Sequence, residues 1–160
     1  LDARDPAWSA LTRGVALEAR REGLDMMEPE IVPWTRKAHE LAFLARESGR
    51  FAVVHRALFA AHFQSSSDIG RIDVLVAIGK EHGLEPALTR TVLGTDRFSA
   101  AVLASAERAR ALGVRGVPTF WREGMRLEGL QSVASFDSFL TSIEADSGTT
   151  TEERGKWPVT

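Results

Sequence analysis

One stretch decides what this chain can fold into: Gly113-Val114-Arg115-Gly116-Val117-Pro118-Thr119-Phe120-Trp121. A helical pattern, with Phe98, Val102, Ala106, Ala109 and Leu112 recurring on one face, stops there and extended chain begins. Gly113 reads as the left-handed residue that ends the helix, a conformation glycine adopts because it has no Cβ to clash. Pro118 steers Val117 away from helical angles, and a proline in a strand must sit where no ladder hydrogen bond is needed: at an edge, a bulge or a cis bond. Val117 to Trp121 and Met125 to Glu128 read as two short strands, with Arg122-Glu123-Gly124 as the turn of a hairpin. The chemistry of the chain is expected beside Pro118.

The rest of the sequence is helical in pattern. Asp5-Pro6 starts a first helix, with Trp8, Leu11, Val15 and Ala19 on one face and Gly23 ending it. Pro29 and Pro33 make the following stretch a connection, in which Ile31 and Val32 are expected to tuck inward. Thr35 is read as the cap of a second helix with Ala38, Leu41, Ala42 and Ala45 inward. A third runs from Phe51 to Phe63, and ten of its thirteen residues are apolar, which predicts a central helix buried all round. Asp73 and Gly94-Thr95-Asp96 are read as caps of later helices, Pro86 as the start of a short one between them, and Ser132 as the cap of a last helix carrying Val133, Phe136, Leu140 and Ile143.

Composition excludes more than it assigns. At 160 residues the chain holds one core, or a small sheet plus a helical subdomain. A formal charge of −2 lacks the basic excess that nucleic acid binding requires, and no apolar run approaches the ~20 residues of a membrane span. The opening Leu1-Asp2-Ala3-Arg4-Asp5 is polar and has no signal-peptide pattern, so a cytoplasmic location is expected. There is no cysteine, which excludes dithiol exchange, a thiolate nucleophile and cysteine metal sites by this chain acting alone. No phosphate loop, nucleophile elbow or paired-carboxylate motif is present, so no catalytic residue is assigned. His55 and His62 share a helix face but stand seven apart, too far for two rings to reach one ion, and neither metal nor cofactor is expected.

The Gly-Val-Pro segment resembles the cis-proline segment of thioredoxin-fold proteins, in particular the DsbA-like oxidoreductases of the FrnE type. Pro33, Ala38-His39, the run from Ala57 to Phe63, Asp68-Ile69, Val74-Leu75 and Gly129-Leu130-Gln131 follow in that family's order. The resemblance implies an α/β, thioredoxin-like (DsbA-like) fold, mostly helical in this chain, with an inserted helical domain and a C-terminal β-hairpin plus helix. The expected division is a helical region over 1–112, the C-terminal part of the thioredoxin-like core over 113–145, and a tail over 146–160 whose composition reads as disordered. The implied activity is thiol:disulfide oxidoreduction. The family's redox motif is Cys-x-x-Cys, and this chain departs from it by having no cysteine. An N-terminal βα unit of roughly 30 residues, expected upstream of Leu1, would hold both that motif and the missing strands.

Carried over by the resemblance, Val117 offers its main-chain N–H and C=O to an extended peptide or thiol substrate, Pro118 holds the turn and Thr119 begins the strand. Gln131 and His39 are further candidates from the same resemblance. Two alternatives stand beside this reading. One is a glutathione-using relative of the kappa-class transferases and hydroxychromene-carboxylate isomerases, from which Gly129-Leu130-Gln131 departs by lacking an acid. The other is a non-catalytic peptide-binding or chaperone-like module. A hairpin without neighbouring strands exposes an edge, so a homodimer is also expected.

Overall fold

The computed structural model describes residues 6–27, 31–122 and 125–146. The expected turn residues Glu123 and Gly124, and the tail from 147 onward, lie outside the described residues. The chain divides into two compact units, Leu1–Ala106 and Glu107–Thr160. No described helix is long and apolar enough to cross a membrane.

The first unit contains α1 (Pro6–Arg21), α2 (Arg36–Glu47), α3 (Phe51–Phe63), α4 (Ile72–Glu81), α5 (Pro86–Gly94) and the start of α6 (Ser99–Ala111). Helix α2 is its hub, packed against α3, α4 and α5. Leu41 and Ala45 of α2 meet Val54 of α3, Leu75 of α4 and Leu93 of α5, all completely buried. Each such leucine contributes ~2 kcal/mol through its removal from water. Local chemistry sets the ends of these helices. Pro86 opens α5, and the Glu85 carboxylate before it accepts from the N–H groups of Ala87 at 2.8 Å and Leu88 at 2.5 Å. These two bonds, the Ala87 one first, hold the Glu85 carboxyl below its ordinary range.

Several local expectations are corrected. Helix α3 buries Val54, Leu58 and His62, but Val53 and Phe59 stay 48% and 55% exposed. Its apolar residues surround it because only one stripe faces the core, while the other faces out. Ile31 is exposed, as are Val133 and Leu140 of the last helix. Asp73 is not a cap: Arg71 occupies that position, and its guanidinium donates to both Asp73 oxygens, at 3.0 and 2.7 Å. That bidentate pairing lowers the Asp73 carboxyl to about 2.

Asp96 does not cap α6 with its side chain either. Its carboxylate accepts from Lys37 Nζ at 2.6 Å and Arg36 Nη2 at 2.9 Å. The Lys37 bond holds the Asp96 carboxyl below its ordinary range, with Arg36 assisting. Beneath this pair lies Glu40, which is completely buried. Glu40 Oε2 accepts from the N–H of Phe98 at 3.3 Å, and Lys37 Nζ stands 3.2 Å from Oε1 as an ion pair without hydrogen-bond geometry. Lys37 also donates to the Leu93 carbonyl. One carboxylate on α2 thus holds the α5–α6 junction.

His62 is buried with its Nδ1 unpartnered among the described residues. Burial lowers its pKa from the ordinary 6.5, against the raising effects of the Ser67 backbone and the Asp68 charge. The folded state therefore binds fewer protons than the unfolded state below pH 6.5, and stability is complete above that value and declines as pH falls toward the folded pKa. The urea midpoint is expected to be lower at about pH 5 than at about pH 7.5, a range in which the Asp73, Glu85 and Asp96 carboxyls, all held below their ordinary range, stay ionised. A His62→Leu chain should show a smaller drop, and an undiminished one would remove His62 as the cause.

The second unit contains the end of α6, β1 (Thr119–Arg122), β2 (Met125–Glu128) and α7 (Val133–Asp146). Asp146, assigned to the tail from composition, is the last helical residue. The strands pair antiparallel, with Thr119 opposite Glu128, Phe120 opposite Leu127, Trp121 opposite Arg126 and Arg122 opposite Met125. Opposed residues share a face, so Phe120, Leu127 and Met125 lie on one side of the ribbon. On that side Phe136 of α7 meets Phe120 edge to face at 4.5 Å. Ser132 caps α7 by accepting from the Ser135 N–H at 3.1 Å.

Candidate functional site

The loop from Gly113 to Pro118 is held from both ends. Gly113 has φ 78°, a left-handed conformation that ends α6 and turns the chain out of the helix. A helix end leaves carbonyls without partners. Here Arg126 of β2 supplies them: its Nη1 donates to the Gly113 carbonyl at 2.8 Å and to the Leu112 carbonyl at 3.3 Å. A cation at a helix C-terminus is also favourably placed in the field of the helix dipole. At the other end the Thr119 hydroxyl donates to the Gly116 carbonyl at 2.6 Å, spanning Val117 and Pro118.

The Val117–Pro118 peptide bond is cis. The Pro118 carbonyl accepts from the Gly129 N–H at 2.8 Å, which continues the ribbon one step beyond Thr119 and Glu128. The strand begins at Thr119, where the family resemblance placed its start, and not at Val117, where the residue pattern placed it, and this difference matters. Val117 is left outside the ladder, 91% exposed, with neither its N–H nor its C=O hydrogen-bonded among the described residues. A fixed loop thus presents one free main-chain donor and one free acceptor at the start of a strand.

Gln131 joins this group, because its Nε2 donates to the Glu128 carbonyl at 2.6 Å, opposite Thr119. The amide is therefore engaged in closing the ribbon end. His39 belongs to the helical unit, where it occupies an exposed position on α2. Its pKa is lowered, first by the desolvating mass of the chain around it and then by the charge of His55. Sequence reasoning missed Arg126, which lies on β2, thirteen residues beyond Gly113, and reaches the helix end only through the pairing of the strands. It also missed the Thr119 to Gly116 bond, for which a hydroxyl just after a proline gives only a weak cue.

Residues 10–141 match the family of the DSBA-like thioredoxin domain. Among solved structures, the chain is similar to a probable DsbA oxidoreductase from Streptomyces coelicolor, with a TM-score of 0.79 and 24% identity. That match covers 94% of this chain and 65% of the other, so the chain spans less than two thirds of the length of that relative. No curated protein matches it.

Proposed function

The chain belongs to the DSBA-like thioredoxin domain family, and from that premise we propose that it is the substrate-holding part of a thiol:disulfide oxidoreductase. The observation that carries this is Val117, exposed and unpaired in its main chain at the head of β1. An extended peptide laid beside it gains two main-chain hydrogen bonds in the manner of an added strand. Thr119 and Arg126 keep the loop in the shape that presents those groups. The dithiol comes from outside these 160 residues, which contain no cysteine. The same open edge accepts a second copy, and Phe120 and Trp121, 39% and 45% exposed, add apolar area to it.

The chain alone is expected to be inactive in insulin reduction and yet to bind a dye-labelled extended peptide. Val117→Pro, which deletes the N–H donor, should weaken that binding by about tenfold, the scale of one hydrogen bond. In sedimentation at low micromolar concentration the parent should run as a dimer and the variant as a monomer. Unchanged peptide affinity in the variant would sink the strand-addition reading, and a monomeric parent would remove the dimer. Retention on immobilised glutathione, lost in the variant, would instead favour the glutathione-using branch.

A further inference from the structure

The charge around the Val117 loop differs in sign from that of the chain. From Glu107 to Glu128 the sequence carries five arginines against three glutamates, whereas the whole chain has a formal charge of −2. Between Arg108 and Trp121 there are three arginines and no acid. Two of these, Arg108 and Arg110, lie in the last turn of α6, where a cation offsets the dipole of the helix. Arg115 has no such place. It follows Gly113, outside the helix, in the exposed part of the loop two residues before Val117. The nearest acid along the ribbon is Glu128, opposite Thr119, and Arg126 Nε stands 3.7 Å from its Oε1, so that carboxylate is already matched by a cation. The acids that follow, from Asp137 on, belong to α7.

We propose that Arg115 sets the class of substrate taken at Val117: an extended peptide with an acidic side chain within two residues of the one that pairs there. This rests on the reading of Val117 as a site of strand addition. Consecutive Cα atoms are about 3.8 Å apart, so the Cα of Arg115 lies no more than ~7.6 Å from that of Val117. An added strand runs ~4.8 Å from its partner and rises ~3.3 Å per residue. Peptide residues one or two positions from the paired one therefore pass within the span of an arginine side chain, on whichever side the direction of the peptide places them. The guanidinium offers a carboxylate two parallel N–H donors and repels a lysine. A charge at the rim of a site selects among partners more than it adds affinity. The main chain of Val117 holds an extended segment of any sequence, and Arg115 chooses among them.

The test uses the whole chain and three dye-labelled seven-residue peptides with valine at the centre, flanked two positions away on both sides by glutamate, glutamine or lysine. Flanking both sides removes any dependence on the direction of binding. Anisotropy should rank them in that order, with the glutamate peptide about fivefold tighter than the lysine peptide, the scale of an exposed ion pair gained in place of a repulsion. The ranking should narrow in high salt. Arg115→Gln should erase it while the glutamine peptide keeps its affinity, Arg115→Lys should restore part of it, and Val117→Pro should weaken all three peptides alike. Equal affinities for the three peptides would overturn the role of Arg115 and leave the strand-addition reading standing, whereas binding by none would remove both. A ranking that survives Arg115→Gln, or glutamate-peptide binding undiminished in Val117→Pro, would place the attraction elsewhere on the chain and overturn the proposal.

Discussion

Glu40→Ala is expected to remove about 3 kcal/mol from the stability of the helical unit, the scale seen when one partner of a buried ion pair is deleted. Three losses combine. The Phe98 N–H, where α6 begins, forfeits its acceptor at 3.3 Å. Lys37, whose side chain is 13% exposed, keeps its positive charge but loses the carboxylate 3.2 Å away. The space of a fully buried side chain is left behind. Asp96 and the Leu93 carbonyl still hold Lys37, which keeps the expected loss toward the lower end of the range for such pairs. Urea unfolding of Glu40→Ala, Lys37→Met and the double variant measures it, and the double should lose less than the sum of the singles because each single strands the other's charge. A loss below about 1 kcal/mol in Glu40→Ala would show that the carboxylate adds nothing beyond its volume.

That residue also shows where the sequence stops being legible. The ends of α1, α5, α6 and α7 are readable because Pro6, Pro86, Gly113 and Ser132 act through their own backbone or a near neighbour. Glu40 acts on Phe98, far away in the chain, and no spacing within α2 reports that the start of α6 needs an acceptor there. The same reason explains α3. Its composition counts apolar side chains correctly, yet whether a given face meets another helix depends on where α2 and α4 lie, and they cover only the stripe of Val54, Leu58 and His62. At the site, Val117 and Pro118 stand out in the sequence because glycine frees the backbone locally and proline restricts it. The grip of Arg126 on the helix end joins two elements across the turn and became visible only once the ribbon register placed Arg126 opposite Trp121.

Gly113→Val is expected to cost about 2 kcal/mol in the second unit and to release the Val117 loop. An L-residue in the left-handed region loses ~1–2 kcal/mol, and a branched side chain is among the worst suited to it. The added Cβ would also meet Nη1 of Arg126, so the guanidinium must move from the position in which it bonds the Leu112 and Gly113 carbonyls. A flexible side chain can swing away from one atom, but here it does so only by leaving two helix-end carbonyls without their donor. The expected result is faster amide exchange in β1 and β2, while amides of α2 to α5 keep their protection because their core lies in the other unit. Peptide binding at Val117 should weaken along with the hairpin protection. If both survive in Gly113→Val, then Pro118 and the ribbon alone shape the loop, and the Arg126 clasp is incidental. An Arg126→Gln chain separates the two contributions, because it removes the clasp and leaves the glycine conformation unstrained.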